Sequence, residues 1–305
     1  MQKLINFLYR IPKSRLKNIR RFGGYLNYRK MMASRKLMEK ASFSLPPVIS
    51  AKEGLPVYFL TGKNYLYQTL FCIRSLVLVS KIKLRFLLVD DGSFDEELIN
   101  HIKKQLPEAT IITKEIIAQN LENIIPPAQF PHLHHKRAVY PHIKKLTDIH
   151  TIPGDDWKLV LDSDMLFWRE PREMLEWLHH PQRPLHMVDC DEAYGYSKKL
   201  MEELAGKTIK PLVNVGAIGL NSNAINWQNI ERWVEVLEQR EGTSYYLEQA
   251  LSAMLIGDDN AVVLPPGKYI VNPCKATIAA QNGVLHHYVD LSKEGYYKLA
   301  WKKLV

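Results

Sequence analysis

The chain has 305 residues, 46% hydrophobic, 24% charged and 10% aromatic. This is an ordinary globular composition, and it excludes a disordered chain, a collagen-like repeat and a disulfide-stapled miniprotein. No apolar run approaches the ~20 residues that a membrane-spanning helix needs. The run Leu76-Val77-Leu78-Val79 stops at Ser80-Lys81, and Phe86-Leu87-Leu88-Val89 stops at Asp90-Asp91. The net charge of +9 is unevenly placed: residues 1–50 hold twelve Lys or Arg against the single acid Glu39, while the other 255 residues hold 29 bases against 31 acids. Three well-separated cysteines, Cys72, Cys190 and Cys274, offer neither a disulfide framework nor metal-ligand spacing, so a reducing, cytoplasmic setting is expected.

In the N-terminal segment Leu4, Phe7, Leu8 and Ile11 recur at helical spacing, with Pro12 expected to end that turn. A second basic stretch runs from Arg15 to Arg21 and breaks at Gly23-Gly24, and a third helical piece covers Tyr28 to Lys40. Several readings are open for this basic extension. It can lie on an anionic membrane surface through residues 1–40, pack on the domain, bind RNA without specificity, or act as a transit peptide. Ser44-Leu45-Pro46-Pro47 reads as a linker, which divides the chain into an extension over residues 1–55 and a main domain over 56–305.

The main domain alternates strand and helix. Strands are expected at Val57–Leu60, Phe86–Val89, Ala109–Ile112 and Trp157–Leu161, with helices over 65–80, 96–105 and 136–149. Such alternation gives an α/β fold with a mostly parallel central sheet covered by helices on both faces, and ligands then bind beyond the carboxyl ends of the strands. There is no Gly-x-Gly-x-x-Gly after the first strand, no Walker-type loop and no nucleophile elbow.

At the end of the fourth strand stand Asp162 and Asp164. An i, i+2 carboxylate pair there suits a hard divalent cation, Mn²⁺ or Mg²⁺, completed by diphosphate oxygens. The competing reading is a polar turn whose acids cap the next helix.

The surrounding residues carry a resemblance. In order come Asn64-Tyr65, Asp90-Asp91-Gly92, Lys144-Lys145-Leu146, Leu159-Val160-Leu161-Asp162-Ser163-Asp164-Met165, Val213-Asn214-Val215-Gly216, Glu248-Gln249-Ala250-Leu251 and His287-Tyr288-Val289-Asp290-Leu291-Ser292-Lys293. Over roughly residues 56–295 this resembles the GT-A fold glycosyltransferases. It is most similar to the retaining family 8, which includes glycogenin and bacterial lipopolysaccharide galactosyltransferases.

The resemblance implies the following roles. Asp162, Ser163 and Asp164 match the segment that holds the metal and the donor's ribose and diphosphate, and His287 completes the metal site, with His286 an adjacent rival. Lys293 falls where a lysine meets the diphosphate, although Asp290 replaces the family's glycine and the following Pro-Trp is absent. Thr61, Asn64, Tyr65 and Asp91 would hold the nucleoside, and Lys145 would approach sugar and phosphate. Asn214 and Gly216 match a strand beside the transferred sugar. Glu248 and Gln249 match the pair beside the anomeric carbon, with Glu in place of Asp. Asp189 and Asp191 would touch sugar or acceptor.

The reaction this implies is metal-dependent transfer of a sugar from a nucleotide sugar, a UDP-sugar, to a glycan, glycolipid or lipid-linked acceptor. The Asp-Asp-Gly-Ser run also resembles inverting family 2 enzymes, which leaves the stereochemistry open. A sugar nucleotidyltransferase and a non-catalytic membrane-associated scaffold are the alternatives, and no specific nucleic-acid partner is expected. Away from the motifs, His132, His134, His135 and His142 read as a solvated loop, and Tyr245, Tyr246, Tyr296, Tyr297 and Trp301 as core, with the lining of an acceptor groove as the alternative.

Overall fold

The structure, a computed structural model, describes residues 11–258 and 261–305. Its strands are β1 (Leu55–Thr61), β2 (Leu84–Asp90), β3 (Thr110–Ile112), β4 (Trp157–Leu161), β5 (Met165–Phe167), β6 (Leu185–Val188), β7 (Val213–Asn221), β8 (Val262–Val263), β9 (Tyr269–Val271) and β10 (Leu285–His287). Seven of them form one sheet of order β3-β2-β1-β4-β7-β6-β8, and the other three form a second sheet of order β5-β10-β9. In the large sheet β3, β2, β1 and β4 run parallel, and β7 enters antiparallel between β4 and β6.

Successive side chains on a strand face opposite ways, and here both faces are buried. Val57, Phe59, Phe86, Leu88, Leu159 and Leu161 enter one apolar core, while Tyr58, Leu87, Val89 and Val160 enter a second. This is the α/β sandwich expected from the apolar strands, mixed in direction at β7. The three-stranded sheet has no counterpart among the expected elements, because its strands are only three residues each.

The helices are α1 (Ile11–Arg21), α2 (Tyr25–Ser42), α3 (Leu66–Val79), α4 (Glu96–Gln105), α5 (Lys114–Ile124), α6 (Pro131–Val139), α7 (Lys144–His150), α8 (Arg172–His179), α9 (Lys198–Ala205), α10 (Trp227–Glu241), α11 (Leu247–Ile256), α12 (Lys275–Ala280) and α13 (Lys293–Lys298). The single helix expected over 136–149 is in fact α6 and α7, separated by a 3₁₀ turn at Pro141–Ile143. Pro141 disfavours helical backbone at Tyr140, whose φ is −135°, and so the first helix ends there. The histidines at 132, 134 and 135 therefore ride on a helix rather than a loop.

The expected stripe at Leu4, Phe7 and Leu8 lies outside the described residues. From Ile11 onward the chain is helical to Arg21, and Pro12 stands within the first turn, where its missing N–H is tolerated, instead of ending the helix. Gly23 and Gly24 both take positive φ and break α1 from α2. Helix α2 packs on the domain: Met31, Ser34 and Met38 are buried at i, i+3 and i+7, and the Ser34 hydroxyl donates to the Tyr297 carbonyl of α13. Arg35 Nε donates to the Tyr67 hydroxyl of α3 at 2.8 Å, and its guanidinium also lies 5.9 Å from the Tyr297 ring centroid. Among the described residues no helix is long and apolar enough to cross a membrane.

Candidate active site at the carboxyl ends of β1, β2 and β4

Strand β4 ends at Leu161 and β5 begins at Met165, so the Asp162-Ser163-Asp164 link is where the chain leaves the large sheet for the small one. Three contacts fix that link. The Asp162 N–H donates to the Gly216 carbonyl of β7, the Ser163 and Thr69 hydroxyls lie 2.8 Å apart, and the Tyr288 N–H donates to the Asp164 carbonyl. Antiparallel pairing of β10 with β5 sets His287 opposite Met165. The His287 ring thereby meets both carboxylates: Nε2 is 3.3 Å from Asp164 Oδ1 and 3.6 Å from Asp162 Oδ2.

Strand alternation sends the two histidine rings to different surroundings. His286 turns the other way, accepts from the Trp168 indole at 2.9 Å and contacts the Asn282 carbonyl. His287 is buried against Gly216, where a Cβ would overlap Nδ1 and Cε1 of the ring and Cε of Met165.

Asp162, Asp164 and His287 form a cluster able to hold a metal ion, with one ligand atom from each within 4.8 Å of the others. Ligands at cis positions of an octahedral ion with bonds of about 2.1 Å sit about 3 Å apart. The observed separations approach that spacing, and two carboxylates with one imidazole are a donor set for a divalent cation such as Mn²⁺ or Mg²⁺. The residues present thus fit the group.

Two lysines flank the cluster, and they differ in what they leave open. Lys145 of α7 is buried, and its ammonium lies 2.9 Å from Asp162 Oδ1, 2.9 Å from the Val215 carbonyl and 3.7 Å from Glu248 Oε1. Its ammonium is thus enclosed by three protein oxygens. Burial works against its charge, yet Asp162 and Glu248 more than offset that and raise its pKa. Lys293, at the start of α13, lies 3.4 Å from Asp164 Oδ2 and keeps 41% of its side chain exposed. Lys293 is therefore the cation accessible to a ligand. Burial would raise the Asp164 carboxyl, but Lys293 and His287 together hold it well below the usual range.

Asp290 stands where the resemblance calls for glycine, and its backbone accounts for the exchange. Asp290 takes φ 46°, the left-handed region where glycine is the default and Asp is among the residues that tolerate it. Arg21 of α1 forms an ion pair with Asp290.

On the other side, Asp189 gathers two of the expected sugar-site residues. Asn214 Nδ2 and Gln249 Nε2 both donate to Asp189 Oδ2 at 3.0 Å. Gln249 also donates to the Val213 carbonyl, and Asn214 accepts from the Gly216 N–H. Glu248 is buried, and its carboxyl is pushed up to about 7 by burial, which Lys145 offsets only in part. The reason is geometric: one ammonium serves two carboxylates, and it sits closer to Asp162.

The expected nucleoside residues stand at the β1 and β2 ends. Thr61 is buried, and its hydroxyl lies 2.7 Å from that of Thr69, so Thr61, Thr69 and Ser163 form one hydroxyl chain. Asn64 is exposed in the following turn, and Tyr65 presents a half-exposed ring at the start of α3. The Asp91 carboxylate is turned back on Ser93, and the Lys144 ammonium donates to the Asp91 carbonyl at 2.5 Å.

Some neighbours escaped the sequence reading. Tyr245 and Tyr246, expected in the core, are 67% and 41% exposed, whereas Tyr296, Tyr297 and Trp301 are buried as expected. His142 and Tyr245 pack edge to face with centroids 5.1 Å apart, and Tyr140 reaches both the Tyr245 carbonyl and the Glu248 N–H. Thr69 carried no signal beyond its place four residues after Tyr65.

No protein-family model and no curated protein sequence matches the chain. Solved structures do. Mouse xyloside xylosyltransferase 1, in its apo form, aligns over 79% of this chain and 98% of its own with a TM-score of 0.51 at 14% identity. The galactosyltransferase LgtC, in complex with donor and acceptor sugar analogs, aligns over 82% of this chain and 100% of its own with a TM-score of 0.52 at 14% identity. The chain is structurally similar to these two glycosyltransferases, and its fold is that of the GT-A enzymes.

Proposed function

We propose that the chain is a metal-dependent glycosyltransferase that takes a sugar from a nucleoside diphosphate donor, a UDP-sugar, and moves it to a hydroxyl of a glycan, glycolipid or lipid-linked acceptor. The observation that carries this reading is the convergence of Asp162, Asp164 and His287 with the accessible Lys293 beyond the carboxyl ends of the strands. In the reaction the bond from the anomeric carbon to the diphosphate oxygen breaks and its electron pair leaves with the diphosphate. The acceptor oxygen then bonds to that carbon and passes its proton to the departing diphosphate.

Asp162, Asp164 and His287 would hold Mn²⁺ or Mg²⁺, which supplies charge neutralisation for the leaving diphosphate. The chain's own part is electrostatic and geometric. Lys293 adds a positive charge where the diphosphate develops its negative one. Tyr65, Asn64 and Asp91 line the place for the nucleoside, with the Tyr65 ring available for stacking on a base. Asn214 and Gln249, both locked by Asp189, present a rigid wall to the sugar, and rigid positioning is worth more than flexible contact. Lys145 acts through others, because it orients Asp162 and Glu248.

The direct test is thermal unfolding with UDP and a panel of nucleotide sugars, in Mn²⁺ and in EDTA. A ligand at 100 times its dissociation constant adds about 2.7 kcal/mol, so UDP with Mn²⁺ is expected to raise the transition clearly and EDTA to abolish the rise. No rise with any nucleotide on folded protein would favour a non-catalytic scaffold.

Glu248 gives a second expectation. Its carboxyl goes from an ordinary 4.5 to about 7 in the fold, so between those values the folded chain holds more protons than the unfolded one. The stability this contributes is full below about pH 4.5 and is lost as pH rises through about 7. Burial holds His150 and His286 at about 3 and about 4, which pushes the overall slope the other way, so the readout is a difference: in urea unfolding in EDTA, the stability of the parent relative to Glu248→Gln should fall as pH rises through this window. A difference that stays constant with pH would show that Glu248 ionises normally.

A further inference from the structure

We propose that the outward face of α1 and α2, together with the apolar groove beside the C-terminus, docks on an anionic lipid surface. This goes beyond the transferase reading and does not depend on which sugar the site handles.

The face exists because α2 has two sides of different character. Met31, Ser34, Met38 and Ser42 turn inward and are buried. Leu26, Arg29, Lys30, Lys36, Leu37 and Lys40 are exposed, at spacings that return to one side of the helix. Leu26 keeps 71% and Leu37 56% of its surface in water. Helix α1 continues the pattern with Leu16, 57% exposed, between Arg15 and Lys17, and it has no acidic residue at all. Arg15, Lys17, Arg20, Arg29, Lys30, Lys36 and Lys40 are exposed, and among the described residues none of them is in an ion pair with an acid. Arg21 and Arg35 stand apart, since they are engaged with Asp290 and with Tyr67 and Tyr297.

Next to this face lies a groove of about 640 Å³, lined by Leu37, Lys40, Leu45, Arg74, Trp301 and Val305 among others. Its walls are apolar and its rim is cationic, and Lys302 and Lys303 stand exposed beside it.

Charge alone would suit any polyanion. The apolar residues decide between them. A nucleic acid backbone neutralises lysine and arginine but offers nothing to Leu16, Leu26 and Leu37. An anionic bilayer interface takes both, since apolar side chains enter the acyl boundary while cations meet the headgroups. The face is also held rigidly to the domain by Met31, Met38 and the Arg35 contacts, so docking would hold the whole molecule at the surface.

The test is co-sedimentation of the full chain with vesicles of equal parts phosphatidylglycerol and phosphatidylcholine, against pure phosphatidylcholine. Two variants accompany it: Arg29→Gln/Lys30→Gln/Lys36→Gln/Lys40→Gln, and Leu26→Ser/Leu37→Ser. All six side chains are exposed, so both variants should melt with the parent. Binding is expected to the anionic vesicles only. It should fall by more than about a hundredfold in the first variant and about tenfold in the second. Equal binding to both vesicles, or binding that survives the first variant, overturns the proposal. Tight binding of single-stranded RNA that the leucine pair leaves untouched, without vesicle binding, also overturns it and assigns the face to nucleic acid.

Discussion

Lys145→Met is expected to destabilise the metal-free protein by about 3 kcal/mol, as read by urea unfolding in EDTA. The Lys145 ammonium is buried between Asp162, Glu248 and the Val215 carbonyl. Removing one partner of a buried pair leaves an uncompensated charge, typically at about 3–5 kcal/mol. The low end applies here for two reasons. Glu248, already raised to about 7, can take up a proton, and Asp162 keeps 30% of its side chain exposed. The same substitution should raise the Glu248 carboxyl further, so the pH dependence described above should move to higher pH. Transfer activity should fall in parallel, by roughly a hundredfold or more, because Asp162 loses the contact that orients it. If Lys145→Met were as stable as the parent, the ion pairs would be contributing nothing net, and the assignment of Lys145 as a positioning residue would fail. Lys145→Arg makes a useful companion. It keeps the charge but cannot place a compact ammonium among three oxygens, so it should recover stability in part and activity hardly at all.

Gly216→Ala is expected to separate the metal cluster from the rest of the fold. A Cβ at residue 216 would overlap the His287 ring and the end of Met165, so the imidazole must move away from Asp162 and Asp164. Overpacking of this kind destabilises by about 1–3 kcal/mol. Displacing the shell around a metal ligand weakens affinity about 10- to 100-fold. Gly219→Ala is the control. On the same strand, its Cβ would overlap the Trp177 ring in the core, far from the carboxylates in contact terms. Both variants should lose stability, but only Gly216→Ala should lose Mn²⁺ affinity, measured by calorimetric titration. Equal Mn²⁺ affinity in the two variants would count against His287 as a ligand.

These expectations rest on residues that were legible to very different degrees. The apolar runs at 57–60, 86–89 and 157–161 marked β1, β2 and β4, because strands buried on both faces must be apolar without interruption. Asp162 and Asp164 stood out for the same reason: two charges directly after a buried strand need a purpose. Their order with Asn214-Val215-Gly216, Glu248-Gln249 and His287 carried the resemblance to the GT-A enzymes, which the structural similarity to two glycosyltransferases supports at the level of the fold.

Other features were out of reach. Three-residue strands such as β5 and β10 hold too few positions for any period to register, yet their pairing is what delivers His287 to the carboxylates. The choice between His286 and His287 depends on which way the ring points, and that follows from the pairing of β10 with β5, not from composition. Lys145 and Lys293 look alike as letters. One is saturated by protein oxygens and the other is open to a ligand, because the first lies under α11 and the second begins a helix at the surface. Asp189 follows an unremarkable short strand, and only the fold brings Asn214 and Gln249 to the same carboxylate oxygen.

The sequence by itself determined the sandwich, the position of the acidic pair and the charge asymmetry of the N-terminal segment, since all three are local patterns that burial and charge impose along the chain. The tertiary structure alone decided how α2 joins the core through Met31 and Met38, which lysine faces a ligand, and how Gly216 makes room for His287. Those depend on contacts between residues far apart in sequence, and a linear pattern carries no record of which of its side chains will meet.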